Sequence, residues 1–468
     1  MSFYVRKYIT RNGKYLFRNG KALQTYSRGK YTIEEIDALI AEGFIPVATA
    51  DEFDGLRNSS LRVMGSGSPW EGVYNTGLDK KYVQVDNIDI TIISSYTRMQ
   101  LSGTYDGNEL AVHVKSRLFA SIGCTLNNIV VYGDIDQYVA DEESGAFLVS
   151  ISRFSNSHTY INNCHAYGHL NLLGTDGAGG LVQKAGAESY TAYISGCSFT
   201  GTIITNISIV GGIVGFAEHC MIENCVNNAN IITDGNSVAG IVGNCRGGSI
   251  ENCVNNGNIT GDSSVGGIAG YYIDSIGEII NCENTGIIES TRNDSLSYCG
   301  GIVGNKRSGD VIYCESYGDV KYTGGVNDRQ MTGGLIGFNL SGIIRDCYSS
   351  SDVTSTQHAG GLVGENRGIV ERSYATGLIV GTSNIGGLIG VNTGTITNSY
   401  YDSQTSGQSD TGKGLPRTTA QLKNGTADSF INPDGTTDLT ETPANAMFTG
   451  WDDLIWDFTD TTKYPELL

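Results

Sequence analysis

The sequence predicts an all-β fold: a parallel β-solenoid (β-helix) of about 9–10 coils, with a short helical N-terminal cap and an aromatic C-terminal cap. A Gly-Gly or Ala-Gly pair followed by two apolar residues recurs every 26 to 34 residues. A unit this short cannot bury its apolar face alone and must stack on neighbours. Apolar runs of 3 to 5 residues between turn residues fit short strands, not helices. The second glycines are Gly180, Gly212, Gly240, Gly267, Gly301, Gly334, Gly361 and Gly387.

A second mark follows each glycine pair after 12 to 17 residues and predicts a structural ladder inside the stack. The position accepts Cys, Ser or Ile, so it requires a compact side chain that points inward, and a free thiol serves well there. We therefore expect buried, reduced cysteines in place of disulfides, with some oxidised pairing as the alternative. The ladder residues are Ile129, Cys164, Cys197, Cys225, Cys253, Cys282, Cys314, Cys347, Ser373 and Ser399.

Charge is distributed unevenly along the chain. The net charge is −19, but residues 1–30 contain eight Lys or Arg and no acid, which leaves −27 for the remainder. An acidic array does not favour nucleic acid, since phosphate binding requires Lys and Arg on the contacting face. We expect the basic segment to be a docking arm for an acidic surface, with a partly ordered tail as the alternative. Its cations include Arg6, Lys7, Arg11, Lys14, Arg18 and Lys21.

The chain has no sequence signal for a membrane. No apolar run approaches the ~20 residues of a membrane span, so no transmembrane segment is expected. The basic N-terminus is not followed by the apolar segment of a secretory signal peptide, and none is expected either.

The N-terminal region carries turn and helix signals in order. Asn-Gly pairs at residues 12–13 and 19–20 predict tight turns in a small β element. Residues 32–42 predict a helix with a capping box between Thr32 and Glu35, ended by Gly43. A second short helix is expected at residues 50–56, with Thr49 and Glu52 as its caps. The two helices are expected to plug the first coil, whose open edge needs a cap.

Residues 58–80 lack a period and predict a loop, and strand-like patterns begin near residue 81. The resulting domains are a basic arm with one helix (1–48), a leading segment with capping coils (49–125), the repeats (126–401) and a C-terminal cap (402–468). Longer intervals predict extra surface loops at residues 136–143, 291–298 and 323–331, where solenoids usually carry function. The cap is expected to close the last coil with Trp451, Trp456, Phe458, Tyr464 and Leu467.

Motifs for chemistry are weak in this sequence. Gly-Gly-x-x-Gly resembles a phosphate loop, but it recurs coil after coil where a phosphate cradle occurs once. Cys220 and Cys245 could join Cys225 and Cys253 in a zinc site, yet the latter two belong to the ladder. The acids of the array are expected in solvated turns, and asparagine pairs such as residues 227–228 and 255–256 in stacked turn ladders. We expect no catalytic, cofactor or metal residue, and no enzyme.

The repeat resembles the GLUG repeat family, named for the Gly-Leu-x-Gly element that stands here at residues 361–364 and 387–390. Segments 49–53, 85–90, 105–108 and 399–402, and the ending from Trp451 to Pro465, are also similar to that family. The resemblance covers residues 49–468. It implies a β-solenoid of the kind found in bacterial surface and adhesin-like proteins, beside the catalytic domain of immunoglobulin A proteases, and in phage proteins.

These observations favour a non-enzymatic structural or attachment protein. The leading hypothesis is a phage virion fibre or tail component, in which residues 1–48 dock on another structural protein and the solenoid presents loops to a host surface glycan or protein. The alternatives are a bacterial cell-surface adhesin and a glycan depolymerase on the same scaffold. The expected location is the virion, or the cell surface under the adhesin hypothesis. Homo-oligomerisation is left open.

Overall fold

The computed structural model describes residues 31–49, 52–53, 80–90, 99–101, 103–122, 125–137, 145–152, 158–174, 177–187, 191–274, 277–293, 296–325, 329–424, 451, 454–457 and 462–468. It also describes short strands within residues 7–25, 61–63 and 73–75. Predictions that concern other residues, such as Arg6 and Phe458, lie outside the described part of the chain.

The chain winds into stacked coils whose walls are four parallel sheets, which confirms the predicted β-solenoid. Each full coil runs through the first, second, third and fourth sheet in turn, and each strand pairs in register with those one coil before and after. The first sheet has thirteen strands, more than the nine to ten coils expected, because the leading segment already joins the stack. They are Phe44–Val47, Lys81–Gln84, Thr104–Asp106, Thr125–Asn127, Thr159–Asn162, Ala192–Ser195, Cys220–Glu223, Ile250–Glu251, Glu278–Ile280, Asp310–Ile312, Ile343–Arg345, Ile369–Glu371 and Thr395–Thr397.

The second sheet has nineteen strands, because each coil after the strand Ser198–Thr205 and up to Ile379–Val380 contributes two short strands to it. They are Ile88–Asp89, Ala111–Val114, Val130–Gln137, His165–Leu172, Ser198–Thr205, Val226–Asn227, Asn230–Thr233, Val254–Asn255, Ile259–Gly261, Glu283–Asn284, Ile288–Ser290, Glu315–Ser316, Val320–Tyr322, Tyr348–Ser349, Val353–Thr354, Tyr374–Ala375, Ile379–Val380, Tyr400–Asp402 and Leu415–Arg417.

The third and fourth sheets lie on either side of the Gly-Gly turn. The third contains Ala178–Gly179, Ile209–Gly211, Ser237–Ala239, Ser264–Gly266, Ser297–Gly300, Gln330–Gly333 and Ala359–Gly360. The fourth contains Met99–Leu101, Phe119–Ile122, Val149–Ser152, Val182–Ala185, Val214–Glu218, Val242–Arg246, Ala269–Ile273, Val303–Lys306, Ile336–Asn339, Val363–Asn366 and Ile389–Asn392.

Ten short strands lie outside the four sheets and pair antiparallel in twos. Arg11 pairs with Lys14, and Arg18 with Lys21, as the two predicted Asn-Gly hairpins require. Residues 61–63 pair with residues 73–75, so the segment predicted as a loop contains a hairpin. The strands are Lys7–Tyr8, Thr10–Arg11, Lys14–Tyr15, Phe17–Arg18, Lys21–Ala22, Gln24–Thr25, Leu61–Val63, Val73–Asn75, Trp456–Asp457 and Glu466–Leu467.

Three helices are described: α1 (Ile33–Ala41), α2 (Ser403–Ser406) and α3 (Thr419–Asn424). The predicted α1 is confirmed with its capping box, in which the Thr32 hydroxyl accepts from the Glu35 amide and the Glu35 carboxylate accepts from the Thr32 amide. Thr49 and Glu52 make the same reciprocal bonds at the second predicted helix. No helix in the described part of the chain is long and apolar enough to cross a membrane.

At each end of the solenoid, one element covers the side of the outermost coils and another covers the open end of the core. Ile36 of α1 packs against Val83 and Val85, which alternate with the core residue Tyr82 and therefore face outward. The core at this end is closed by Phe53, which is fully buried against Tyr105. Thus α1 covers the side of the first coils, and residue 53 plugs them.

The aromatic cap covers the side of the last coils. Trp451 and Trp456 pack on a column formed by Tyr348, Tyr374 and Tyr400, which pair in register on the outside of the second sheet. The predicted aromatic C-terminal cap is therefore present, at the side of the stack. Trp451 also donates from Nε1 to the carbonyl of Asn398 in the last coil at 3.1 Å, whereas the open end of that coil is occupied by a separate segment.

That segment consists of residues 407–417, which do not belong to the repeat. The Lys413 ammonium donates to the carbonyls of Ile385 and Gly390, and the Tyr401 hydroxyl donates to the Asp410 carbonyl. Residues 415–417 then add a final strand to the second sheet. Polar bonds to the last coil, and not aromatic packing, close this end.

The inward ladder lies at the corner between the first and second sheets. All ten of its residues are buried, and all ten cysteines in the described part of the chain are free. The residue before each ladder position has a left-handed backbone, with φ of 54° at Asn224, 52° at Asn252 and 51° at Asn281. Asparagine tolerates this region better than most residues, so the corner explains the Asn-Cys pairs.

Each ladder thiol is hydrogen bonded to the backbone. Cys253 donates to the carbonyl of Glu251 at 3.2 Å and lies 3.8 Å from that of Ile222, one coil earlier. Burial raises the pKa of Cys225 and Cys282 well above the ordinary thiol value. Such thiols stay protonated and are poor nucleophiles.

A second interior ladder is built from amides. Asn227, Asn255 and Asn284 are fully buried, and each Nδ2 donates to the Oδ1 of the next, at 2.8 and 2.7 Å. On the outside, Asn256 donates to Asn228 at 2.8 Å. The prediction of stacked asparagine turns is confirmed.

Candidate functional site

The turn between the third and fourth sheets bends the wall inward. A Cβ on Gly211 would lie 1.9 Å from the carbonyl oxygen of Val214, so only glycine allows this close approach. Side chains on the outside of the two sheets then meet each other: the rings of Tyr298 and Phe338 are 5.6 Å apart, between neighbouring coils. The outer surface at this turn is therefore a concave channel along the solenoid axis, which we call the groove.

The middle of the groove is lined by polar and aromatic side chains in register. The third sheet contributes the column Ser237 and Ser264, which alternates with inward valines. The fourth sheet contributes a column of side chains that follow the last glycine of each repeat. Its members are Phe216, Asn244, Tyr271 and Asn305.

Towards the C-terminus the groove is filled. Tyr298, Met331 and Phe338 form a small apolar cluster separate from the main core. The guanidinium groups of Arg307 and Arg367 lie over the Phe338 ring, at 5.7 and 5.1 Å from its centroid. These cation–π contacts place two positive charges at the surface of an acidic protein.

Glu365 ends this cluster and is almost fully buried. It accepts two bonds from Arg367, at 2.7 and 2.8 Å, and its other oxygen lies 3.2 Å from Nδ1 of His358. The hydrogen bond with His358 and the pairing with Arg367 lower the pKa of Glu365 to about 2. The carboxylate therefore holds cations in place and is not poised to transfer a proton near neutral pH.

Two of the three predicted loop insertions border the filled end of the groove. The amide of Gly325 donates to Oδ1 of Asn293 at 2.8 Å, so the loops of consecutive coils are joined. The Tyr322 hydroxyl donates to the carbonyl of Gly325 at 2.6 Å. Both loops lead directly into third-sheet strands. The remaining insertion, after residue 137, lies outside the described residues.

The exposed tyrosines form ladders of their own on other faces. Tyr132 stacks on Tyr167 with centroids 4.9 Å apart, and Tyr160 stacks on Tyr193 at 5.0 Å. Because the rings cover each other's faces, these columns present edges and hydroxyl groups to solvent. They offer little free ring surface for stacking on a sugar.

One carboxylate pair stands out on the second sheet. Glu283 and Glu315 are register partners in adjacent coils and face outward. Burial raises the pKa of Glu315, while the Tyr317 hydroxyl donates to its Oε2 at 2.6 Å. Two neighbouring carboxyls of which one has a raised pKa are the arrangement used for general acid catalysis on glycosidic bonds.

The predicted site residues fall into two groups in the structure. The ladder residues are brought together in one column of the core. Of the docking-arm cations, Lys7, Arg11, Lys14, Arg18 and Lys21 lie in paired strands, and Arg6 lies outside the described residues. Cys220 and Cys245, considered as zinc ligands, belong to the first and fourth sheets, away from the ladder column.

The groove residues were not predicted as a site. Their signal was the position just after Gly-x-x-Gly, which reads Phe, Asn, Tyr, Asn, Phe and Glu at residues 216, 244, 271, 305, 338 and 365. That position varies in chemistry while staying large or amide-bearing. Only the inward bend of the wall places these side chains in one channel.

Comparison with known proteins supports the repeat. No curated protein matches this chain. Among solved structures, it is similar to the crystal structure of a putative immunoglobulin A1 protease from Bacteroides ovatus, with 14% sequence identity over 94% of this chain and 95% of that chain and a TM-score of 0.27. The family model of the GLUG motif matches residues 328–354, which contain the glycine turn at 333–334 and ladder residue Cys347. Residues 328–354 of this parallel β-solenoid are thus one GLUG motif.

Proposed function

We propose that this chain is a non-enzymatic attachment protein, most specifically a fibre or tail component of a phage virion. Residues 1–48 dock it on another structural protein of the particle. The solenoid projects from that point and presents its groove and bordering loops to a glycan or protein of the host surface.

The observation that carries this proposal is the uninterrupted stack of thirteen in-register strands in the first sheet. Twelve intervals of ~4.8 Å give a rigid shaft of roughly 58 Å. The basic segment leads into one end of this shaft, and the C-terminal segment is fastened along the other. A shaft with a distinct segment at one end suits a protein that holds a binding surface away from its anchor.

Charge supports the role of the arm. Residues 1–30 carry eight cations and no acid while the remainder of the chain has a net charge of −27, so the arm suits an acidic acceptor. The paired strands at residues 7–25 also give it a defined backbone for docking.

Incorporation into particles tests the proposal. Particles purified from the producing host are expected to contain the full chain and to lose it when residues 1–30 are deleted. A variant with Lys7, Arg11, Lys14, Arg18 and Lys21 changed to Gln tests the charges, and Lys463→Gln is the control at the exposed C-terminus. Absence of the chain from particles, or undiminished incorporation without residues 1–30, would refute the proposal. Surface labelling of intact cells would then identify the adhesin alternative.

The pair Glu283 and Glu315 favours one second candidate, a glycan depolymerase. In this function Glu315 is the general acid and Glu283 the nucleophile or base. Release of oligosaccharide from host capsule, abolished in Glu315→Gln but retained in the control Glu289→Gln, would support it. Without such release, the role of Glu315 is structural, since it accepts a hydrogen bond from the backbone of Leu467 in the C-terminal segment.

A further inference from the structure

Two asparagines in the groove stand apart from every other amide column of the solenoid. Asn244 is 7% exposed and Asn305 is 3% exposed, yet the Oδ1 of each has no hydrogen-bond partner in the described part of the chain. By contrast, Asn339 donates to Asn366 and Asn366 to Asn392 in the column that points inward from the same sheet. Buried polar groups in folded proteins are normally paired. Two unpaired amide oxygens at equivalent positions indicate a surface built for a partner that donates hydrogen bonds.

The spacing of these amides suits an elongated partner. Asn244 and Asn305 occupy the same column two coils apart, with Tyr271 between them. Two intervals of ~4.8 Å separate them by roughly 10 Å along the axis. Ser237 and Ser264 place hydroxyl groups on the facing side of the groove. A ligand that lies along the axis can therefore meet polar groups on both sides.

Positive charge frames the same segment. Arg246 follows Asn244 on the outside of its strand, with its guanidinium 5.5 Å from the centroid of Phe216, and Arg307 lies above Phe338 at the other end. Nε of Arg307 is also buried without a partner. Glu218 stands beside Arg246 as its register partner. On a chain of net charge −19, two arginines flanking unpaired amides favour an anionic ligand over a neutral one.

We propose that the groove between Phe216 and Phe338 binds a carboxylate-bearing oligosaccharide that lies along the solenoid axis. Asn244 and Asn305 hydrogen bond its hydroxyl groups, Tyr271 contacts a sugar ring, and Arg246 and Arg307 pair with its carboxylates. This assignment rests on the proposed attachment function and names its receptor class. An acidic peptide fits less well, because an extended peptide binds by pairing with a free strand edge. In the groove the strand edges already pair with the neighbouring coils.

The full chain is titrated with three probes of matched length: an oligogalacturonate, a neutral oligogalactan and an oligoglutamate peptide. We expect saturable binding of the oligogalacturonate, weaker binding of the neutral sugar, and none of the peptide. The double variant Asn244→Ala/Asn305→Ala and the variant Arg246→Gln are each expected to weaken binding by about tenfold or more. The matched control is Asn256→Ala, which removes a hydrogen-bonded amide on the outside of the second sheet.

The assay is decisive in each direction. Absence of oligogalacturonate binding, equal binding of the peptide, or equal loss in Asn256→Ala would overturn the proposal. Circular dichroism checks the fold of each variant, and Arg246→Gln, at an exposed position, gives the answer if the double variant does not fold. Incorporation of the groove variants into particles is measured separately. A chain that is incorporated but does not bind refutes the groove assignment and leaves the attachment function standing.

Discussion

A Cβ on Gly240 would lie 2.0 Å from Oδ1 of Asn255, across the core from the second sheet. The same approach recurs one coil earlier between Gly212 and Asn227, at 2.3 Å. The second glycine is therefore required in these two coils by the amide that faces it, because the interior is too narrow for both a side chain and the asparagine ladder. In later coils the same glycine position faces Ser316, Ser349 or Tyr401. The Gly-Gly motif thus reflects close contact between this turn and the side chains of the second sheet.

Gly240→Ala is expected to destabilise the solenoid by about 3 kcal/mol, as overpacking of a rigid core does. The clashing atoms belong to a hydrogen-bonded amide and to backbone, so neither can move away cheaply. Urea unfolding followed by circular dichroism measures the loss. Gly325→Ala is the control, since its nearest neighbour would be 3.3 Å away. Equal stability of the two variants would contradict the packing argument.

Asn255→Ala should cost about 2–3 kcal/mol, because it removes the donor to the Gly257 carbonyl and leaves buried groups of Asn227 and Asn284 without this partner. The exposed neighbour Asn256 makes a comparable bond to Asn228 in contact with water. Asn256→Ala is accordingly expected to change the unfolding free energy by less than about 1 kcal/mol. A similar cost for both would show that burial of the ladder adds nothing.

The buried Lys306 makes a contribution to the free energy of unfolding that increases with pH. Its ammonium is buried and donates to Oδ1 of Asn339, and burial lowers its pKa from 10.5 to about 7. Between these values the unfolded chain binds more protons than the folded chain, so the free energy of unfolding increases with pH. The ten buried thiols act in the opposite direction from about pH 7.5, because they begin to ionise in the unfolded chain below the ordinary thiol pKa of about 8.5.

The contribution of Lys306 is therefore expected as a difference in slope between the unchanged chain and Lys306→Met, of up to about 1.4 kcal/mol per pH unit between about pH 7 and 8.5. Lys306→Met should make the slope more negative by this amount, whereas Lys321→Met, at a partly exposed side chain, should leave the slope intact. Urea unfolding at several pH values measures it. An unchanged slope in Lys306→Met would assign the pH dependence to other groups.

Trp456 is expected to fasten the C-terminal segment. Its Nε1 donates to Oδ1 of Asp346 at 3.3 Å, and its ring lies 5.8 Å from that of Tyr374. Trp456→Ala should cost about 3–5 kcal/mol locally. Limited proteolysis with mass spectrometry should then show cleavage after residue 424 while the shaft stays intact. The control is Leu454→Ala, whose side chain is exposed. Cleavage throughout the shaft would mean that this contact holds more than the segment.

The sequence by itself determined the features that depend on neighbours in the chain or on the repeat. The capping box at Thr32, the hairpins around residues 12–13 and 19–20, and the ladder from Ile129 to Ser399 follow from local chemistry or from a fixed period. The parallel stack follows as well, because a short repeat buries its apolar residues only against its copies.

Only the tertiary structure decided which surfaces face each other. The inward bend at Gly211 places Ser264 opposite the column of Asn244 and Asn305, although no local pattern joins them. Likewise, Trp456 meets a tyrosine column more than fifty residues away and covers the side of the last coils. Such placements depend on how the wall curves and on which segment occupies the open end, and a repeat period along the chain specifies neither.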